Sequence, residues 1–342
     1  MAVRHRERES SDVLLEGVLG CTNPACLREY PVLDGIPLLV SDIRAYVQTH
    51  LLALGWRDDL GEALESIVGD CCGPNSNFDT HRQHLSYYAW DHYADRDPLE
   101  VPGEPRPGAT LRLLERGLEL LPTSPTGPIL EIGCSVGRCA FTLAERWGQP
   151  VLGIDLNLAM LRLAARVLQC GRVKYPRRRV GLVYDRREFT VDFPQSDLVD
   201  FWACDALSLP FADASFGTVI CLNVLDSIAA PLELLRSLAR VLRAGGSALL
   251  ACPYDWSPAA TPVEAWLGGH SQRGPQRGAS EPLLRALLTP GAHPEAIADL
   301  RMIAELNDVP WQVRLHDRAT MTYRVHVVAV RKVQVPAEAT QR

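Results

Sequence analysis

A glycine loop between two apolar segments in the middle of the chain most constrains its fold. Residues 128–138 read Pro-Ile-Leu-Glu-Ile-Gly-Cys-Ser-Val-Gly-Arg, and residues 151–155 read Val-Leu-Gly-Ile-Asp. The apolar run stops at Gly133 and a helix is predicted from Gly137, so the backbone between them can approach a ligand closely. Asp155 ends the second predicted strand, where its carboxylate can accept hydrogen bonds from two hydroxyl groups. The pattern therefore predicts a ribose-and-nucleoside site.

The spacing of this loop argues against other classes of nucleotide. The third glycine of the dinucleotide fingerprint Gly-x-Gly-x-x-Gly is missing, and no Gly-Lys-Ser/Thr follows that would hold phosphates. A pyrophosphate ligand is therefore not expected. Three further landmarks follow in order: Cys-Asp-Ala at residues 204–206, Asn223 after the apolar run 216–222, and Leu-Arg-Ala-Gly-Gly at residues 242–246. Each landmark is weak alone, but the ordered set is specific.

Together these segments resemble the class I S-adenosylmethionine-dependent methyltransferases. The resemblance implies an α/β fold, with a Rossmann-like sheet that carries helices on both faces, and S-adenosyl-L-methionine as the cofactor. It also implies the cofactor-binding residues: Glu131, Gly133, Cys134, Ser135 and Gly137 along the methionine and sugar, Asp155 on the ribose, Asp205 on the adenine amino group, Leu156 and Ala206 beside the adenine ring, and Asn223, Val224 and Leu225 beneath the sulfonium.

The segment after the fifth predicted strand faces the transferring methyl group in this fold. Residues 252–258 read Cys-Pro-Tyr-Asp-Trp-Ser-Pro, and residues 261–269 read Thr-Pro-Val-Glu-Ala-Trp-Leu-Gly-Gly. With the tail at residues 308–331, this pattern resembles the methyltransferase module of ovothiol biosynthesis, over roughly the last two thirds of the chain. The iron-dependent, sulfur-inserting part of the ovothiol enzyme has no counterpart here.

That module methylates an imidazole nitrogen, so the resemblance implies N-methylation of a histidine-like acceptor. A neutral imidazole, with a solution pKa near ~6.5, is already nucleophilic at pH 7, so the protein mainly has to position it. The expected catalytic residues are Tyr254, Asp255, Tyr93 and His92, with Asp226 and His270 as further proton acceptors, and the expected substrate contacts are Tyr88, Trp256, Trp266 and His270.

Two cysteines near the N-terminus form a separate pattern. The segment around Cys21 and Cys26 resembles the second half of a zinc-ribbon-like domain that precedes some methyltransferases or activates them as a separate partner. A closed zinc site needs about four ligands, and the first cysteine pair is missing upstream. Cys71 and Cys72 would complete the set only if the chain folded back. No metal is therefore predicted, with Cys21 and Cys26 as weak candidates, and a docking or substrate-covering module is expected.

The remaining sequence sets the domain organisation. We predict a disordered tail at 1–11, the ribbon-like segment at 12–41, a helical cap and linker at 42–107, the methyltransferase domain at 108–333 with an inserted flap at 172–197, and a tail at 334–342. The flap is basic, with five cations between Arg172 and Arg179. No apolar run of 18 residues and no secretory signal are visible, so a cytoplasmic location is expected.

Three functions remain open on the sequence alone. The first is methylation of a heteroatom, nitrogen above all, on a small-molecule or peptide histidine-like acceptor. The second is RNA methylation, which the ribbon-like segment and the basic flap favour; the net charge of −6 and the sequence Asn-Val-Leu-Asp at residues 223–226 argue against it, so a nucleic-acid partner is not expected. The third is a catalytically silent domain that binds a partner, against which the intact cofactor motifs argue.

Overall fold

The computed structural model describes residues 1–10, 13–51, 54, 57, 59–122, 125 and 127–334. The strands are β1 Ala2–Ser10, β2 Val13–Gly20, β3 Glu29–Leu33, β4 Ile36–Pro37, β5 Ile129–Ile132, β6 Val151–Asp155, β7 Arg172–Val180, β8 Val183–Thr190, β9 Val199–Ala203, β10 Phe216–Leu222, β11 Leu242–Cys252, β12 Leu300–His316 and β13 Ala319–Lys332. The helices are α1 Ile43–Thr49, α2 Glu62–Cys72, α3 Asn77–Tyr93, α4 Ala109–Leu118, α5 Arg138–Trp147, α6 Leu158–Cys170, α7 Pro231–Val241 and α8 Glu281–Leu287. Among these described helices, none combines the length and the apolar character that crossing a membrane requires.

The chain divides into two compact units. The first comprises Met1–Tyr87, Tyr175–Arg187 and Leu315–Ala319, and the second comprises Tyr88–Lys174, Glu188–Arg314 and the described residues from Thr320 onward. The predicted tail at 334–342 falls outside the described residues from position 335.

The first unit begins with an antiparallel sheet in the order β1-β2-β3-β4. The prediction of a disordered tail at 1–11 does not hold for residues 2–10, because they pair with β2 from Ala2↔Gly20 to Ser10↔Val13. The charged side chains that suggested disorder mostly lie exposed along this edge strand, where charge disfavours further strand pairing. One of them, Arg8, forms an ion pair at 2.6 Å with the buried Glu16 on β2.

The predicted flap forms a hairpin of β7 and β8. Within the first unit, the Tyr184 hydroxyl donates to Asp79 Oδ1 at 3.0 Å, and the Arg82 guanidinium lies over the Tyr184 ring at 4.0 Å from its centroid. Several of the hairpin's cations pair with carboxylates: Arg177 with Asp317 at 2.7 Å, Arg186 with Glu65 at 3.0 Å, and Arg179 with Asp185 at 3.7 Å.

The described part of the second unit is built on a seven-stranded sheet with the order β12-β13-β11-β10-β5-β6-β9. Strands β11, β10, β5, β6 and β9 run parallel, and β13 is antiparallel to β11. Helices cover both faces. On one face, Gly117 of α4 approaches Leu249 so closely that a Cβ there would lie 2.5 Å from Leu249 Cδ2. Ala248 and Leu250 point to the opposite face, where the leucines of α7 pack with them. The predicted Rossmann-like α/β fold is confirmed.

This order of strands places the candidate site. The chain proceeds outward from β5 in one direction through β6 and β9, and in the other through β10 and β11. In open α/β sheets, ligands bind at the carboxyl ends of the strands where the order reverses. The residues at these ends are Gly133 after β5, Asp155 on β6, Asn223 after β10 and Cys252 on β11.

Candidate active site

The loop after β5 is held tightly against β6. Gly133 and Cys134 both donate their N–H groups to Ile154 O, at 2.8 and 3.0 Å. Gly133 has a φ of 76°, and a Cβ added there would lie 2.3 Å from Val224 Cγ2. Gly137 has a φ of 88° and caps the N-terminus of α5. Both glycines are therefore required by the backbone of this loop.

Three residues with unusual backbone conformations converge at this edge of the sheet. Ser135, Asn223 and Tyr254 have φ values of 52°, 56° and 57°, and they follow the carboxyl ends of β5, β10 and β11. Non-glycine residues seldom adopt positive φ, and strained backbone conformations cluster at functional sites. The strained residues therefore lie at the same edge of the sheet that the strand order indicates for ligand binding.

Asp155 lies at the centre of this edge and organises two loops. Its Oδ2 accepts the Ser135 N–H at 2.9 Å, and its Oδ1 accepts the Asn157 N–H at 2.8 Å. Because a carboxylate has about four acceptor positions, each oxygen retains capacity for one more donor. This fits the two hydroxyl groups of a ribose.

Glu131 is buried on β5 with an unsatisfied oxygen. Its Oε2 has no hydrogen-bond partner among the described residues. Burial, with a smaller contribution from the nearby charge of Asp155, raises the pKa of Glu131 to about 8. A buried acceptor without a partner is costly, so this carboxyl group fits a ligand that supplies a cationic donor.

The loop after β10 carries a second buried acceptor and a buried acid. Asn223 donates its N–H to Ala251 O at 2.7 Å, whereas its Oδ1 is buried without a partner in the described part of the chain. Leu225 is buried, and Val224 packs over Gly133. Asp226 is 3% exposed, and burial raises the pKa of its carboxyl group above the usual range. A carboxylate with a raised pKa is a stronger proton acceptor than a solvated one.

The residues expected beside adenine lie at the ends of β6 and β9. Leu156 is exposed, an unusual position for a large apolar side chain, and Ala206 is buried in the core. Asp205 is exposed and accepts the Leu207 N–H on Oδ1 at 2.8 Å. These positions are compatible with an adenine ring that would cover Leu156.

Asp226 and Asp255 form the acidic part of the site. Asp255 donates its N–H to Asp226 Oδ2 at 2.7 Å and accepts the Tyr323 hydroxyl on its own Oδ2 at 3.0 Å. Tyr88 lies in the same electrostatic environment, since burial and then the charges of Asp155, Asp226 and Asp91 raise its pKa to about 12. The site therefore favours positive charge.

Other predicted residues lie within the second unit, and several of them form hydrogen bonds with other residues there. The buried Tyr93 hydroxyl donates to Val136 O at 2.6 Å, and the indole N–H groups of Trp256 and Trp266 donate to Ser280 Oγ and Thr261 O. His270 is exposed. Burial, and secondarily the charge of Arg138, lower the pKa of His92 to about 3, which makes it a weak proton acceptor at neutral pH.

Sequence reasoning did not single out three residues that meet the predicted site. Tyr323 contacts Asp255, while His326 contacts the Tyr254 hydroxyl at 2.7 Å and Glu305 at 2.8 Å. Of these residues, His326 had the clearest signal in the sequence, as a polar side chain within the apolar run 325–330.

The cysteine pair of the first unit lies in the loop between β2 and β3. A backbone hydrogen bond from Asn23, and then one from the Cys26 side chain, lower the pKa of Cys21. Within the described residues, no group of three or more His, Cys, Asp or Glu side chains could hold a metal ion.

Comparison with known proteins agrees with the fold and the loop. Residues 130–250 match a family described as a methyltransferase domain. The chain is 30% identical to methyltransferase GfsG of Streptomyces halstedii over 167 residues, 49% of this chain and 50% of that protein. It is also 30% identical to the 27-O-demethylrifamycin SV methyltransferase of Amycolatopsis mediterranei over 138 residues, 40% of this chain and 43% of that protein. The chain thus spans about half the length of these relatives.

A solved S-adenosylmethionine-dependent methyltransferase from Methanosarcina mazei matches at a TM-score of 0.42 and 21% identity, over 64% of this chain and 97% of that one. The strand order and the glycine loop agree with the match of residues 130–250 to a methyltransferase domain. S-adenosylmethionine is the cofactor of this domain. The buried, unpartnered oxygens of Glu131 and Asn223 and the free acceptor capacity of Asp155 fit that cofactor.

Proposed function

We propose that the protein transfers the methyl group of S-adenosylmethionine to a heteroatom of a small molecule, and specifically to a nitrogen of an imidazole or similar base. The observation that carries this proposal is the buried Asp226, whose carboxylate lies beside Asp255 at the cofactor edge of the sheet. Such a group can accept the ring proton that a methylated imidazole must lose.

The proposed cofactor contacts lie in the loops at the carboxyl ends of the strands. Asp155 holds the ribose hydroxyl groups, Glu131 faces the ammonium group of the methionine portion, and Asn223 offers its unpartnered Oδ1 to the cofactor. Gly133 and Gly137, with Cys134 and Ser135, shape the loop around the sugar, and Val224 and Leu225 lie beneath the sulfonium. Leu156 and Ala206 flank the adenine ring, with Asp205 near its amino group.

The proposed contact of Glu131 makes cofactor binding depend on pH. In the free protein, its pKa of about 8 keeps the group mostly protonated at pH 7. An ammonium group in contact favours the carboxylate, so binding at pH 7 should release close to one proton, and affinity should fall about tenfold per pH unit below 8. Calorimetry in two buffers of different ionisation heats measures the released proton. A Glu131→Gln variant should bind with no proton release, and identical heats for the wild type in both buffers would contradict this role.

The acidic environment favours a nitrogen acceptor. The lone pair of a neutral nitrogen attacks the methyl carbon, the bond between carbon and sulfur breaks, and its electron pair stays on sulfur. The positive charge thereby moves to the acceptor, near Asp226 and Asp255. The methylated ring then carries its only N–H on the far nitrogen, which Asp255 can orient and from which Asp226 takes the proton, while Tyr88 can stack on the ring.

An oxygen acceptor is the second candidate. The name of the Amycolatopsis relative places its methyl group on an oxygen, and Asp226 could equally accept the proton of a hydroxyl group. RNA gains less support, because several cations of the flap hairpin form ion pairs with the carboxylates of Asp317, Glu65 and Asp185.

A panel of simple acceptors separates these candidates. S-adenosylhomocysteine release is measured with histidine, histamine and imidazole, with a phenol and a primary alcohol, and with a short RNA. We expect imidazole compounds to react at least about tenfold faster than hydroxyl compounds, the scale of discrimination that a complementary site can provide. Turnover restricted to hydroxyl compounds or to RNA would contradict the nitrogen proposal.

A further inference from the structure

A chain of hydrogen bonds runs from α8 to the loop after β11. Arg285 Nε donates to both oxygens of Glu305, at 3.1 and 2.9 Å. Glu305 Oε2 lies 2.8 Å from His326 Nε2, and His326 Nδ1 lies 2.7 Å from the Tyr254 hydroxyl. His326 is 4% exposed, so the middle of this chain is shielded from water.

The direction of these hydrogen bonds follows from the acid at one end. Burial opposes ionisation of Glu305, but hydrogen bonds from His326 and Arg285 outweigh it and lower its pKa. An ionised carboxylate only accepts, so His326 Nε2 donates to Glu305. In the neutral ring Nδ1 is then an acceptor, and the Tyr254 hydroxyl donates its proton to His326. That proton therefore points to the imidazole.

Tyr254 needs such an anchor because of its backbone. Its φ of 57° is strained for an aromatic residue and persists only when its surroundings hold it. This conformation places the Tyr254 N–H on Cys252 Sγ at 3.3 Å and the next N–H, that of Asp255, on Asp226 Oδ2 at 2.7 Å. The Cys252 thiol also donates to the Asp226 carboxylate.

We propose that His326, oriented by Glu305, is a positioning residue: it holds Tyr254 in this strained turn and thereby keeps the Asp255 N–H and the Cys252 thiol on Asp226. Tyr254 then acts through its backbone, with its hydroxyl directed to His326. The consequence for catalysis rests on the proposed role of Asp226 as the proton acceptor.

The positions of these two donors affect the pKa of Asp226. Both donors favour its carboxylate, and losing them would raise its pKa further. The titratable groups that face Asp226 are Asp255, Cys252, Cys221, Tyr88, Tyr254 and Tyr323.

The test measures the titration of Asp226 directly and needs no methyl acceptor. The full chain is labelled with ¹³C at the aspartate carboxyl carbons, saturated with S-adenosylhomocysteine, and titrated by NMR, with Asp226→Asn identifying the resonance. In His326→Phe, we expect the midpoint of Asp226 to move upward by about one pH unit, the scale of a lost hydrogen bond to a charged group. His326→Gln, whose amide can bridge Glu305 and Tyr254, should restore most of the wild-type midpoint, and His81→Phe on the exposed part of α3 should leave it unchanged.

If His326→Phe does not fold, a second variant tests the same positioning role. Tyr254→Phe removes only the hydroxyl group and should shift the midpoint in the same direction by a smaller amount. A folded His326→Phe or Tyr254→Phe protein with an unchanged midpoint would overturn the positioning role. The proposed function fails separately, if Asp226→Asn retains wild-type turnover on the acceptor that the panel identifies.

Discussion

Replacement of Asp155 by alanine is expected to weaken the binding of S-adenosylmethionine by at least about 100-fold. The carboxylate is proposed to hold two ribose hydroxyl groups, and hydrogen bonds to a charged group are each worth about 1.5–3 kcal/mol. The same carboxylate accepts the N–H groups of Ser135 and Asn157, so its loss also loosens the loop that surrounds the sugar. Titration calorimetry measures the affinity.

Two variants control this experiment. Asp155→Asn keeps one oxygen that can accept the Ser135 N–H and should lose less affinity than the alanine variant. Asp192→Ala removes an exposed carboxylate from the segment before β9 and should leave affinity unchanged. Thermal unfolding of each variant shows whether the fold is kept. A folded Asp155→Ala protein that binds the cofactor within about threefold of the wild type would rule out the ribose contact.

Replacement of Asp226 by asparagine is expected to reduce turnover by about 100- to 10,000-fold, the range that a positioned proton acceptor contributes. The amide has the size of the carboxylate and its oxygen can still accept the Asp255 N–H, so the loop should keep its conformation. It cannot take the proton from the far ring nitrogen of the methylated imidazole. Cofactor affinity should stay within about threefold, because Asp226 makes none of the proposed cofactor contacts.

Asp255 provides a matched comparison for Asp226. Asp255→Ala should lower turnover less than Asp226→Asn does, with nearly unchanged cofactor affinity, since Asp255 orients the acceptor and donates to Asp226 only through its backbone. Release of S-adenosylhomocysteine with the acceptor that the panel identifies gives the rates. If both substitutions change only cofactor affinity, the division of the site into cofactor and acceptor parts is wrong.

The residues proposed to bind the cofactor have sequence signals that are local. Gly133, Gly137 and Asp155 lie within 23 residues of one another, and the structure brings them together through the single pairing of β5 with β6. The position of the two glycines between an apolar run and a predicted helix indicated their conformation. Such short-range patterns specify the fold of this region without knowledge of the rest of the chain.

The proposed acceptor half of the site depends on strand pairings that no local sequence pattern predicts. His326 meets the loop after β11 only because β13 pairs antiparallel with that strand in the register Cys252↔His326. A shift of one residue would turn His326 to the other face. Burial was equally unpredictable for His92, which the sequence suggested as a catalytic residue but whose pKa burial lowers to about 3.

For the N-terminal strand, the sequence predicted less order than the structure has. Its charged composition is typical of a disordered tail, yet most of its side chains only need to face solvent from an edge strand, and its backbone gains its order from β2. The ion pair of Arg8 with the buried Glu16 adds a contact that composition cannot reveal.

The central claim is that the carboxyl edge of β5, β6 and β10 binds an adenosyl cofactor. Calorimetric titration of the wild-type chain with S-adenosylhomocysteine at pH 8, where more of Glu131 is ionised than at neutral pH, tests it most directly. The expected result is saturable binding of one molecule per chain, which Asp155→Ala weakens strongly. A folded wild-type protein that shows no saturable heat with this nucleoside would contradict the claim.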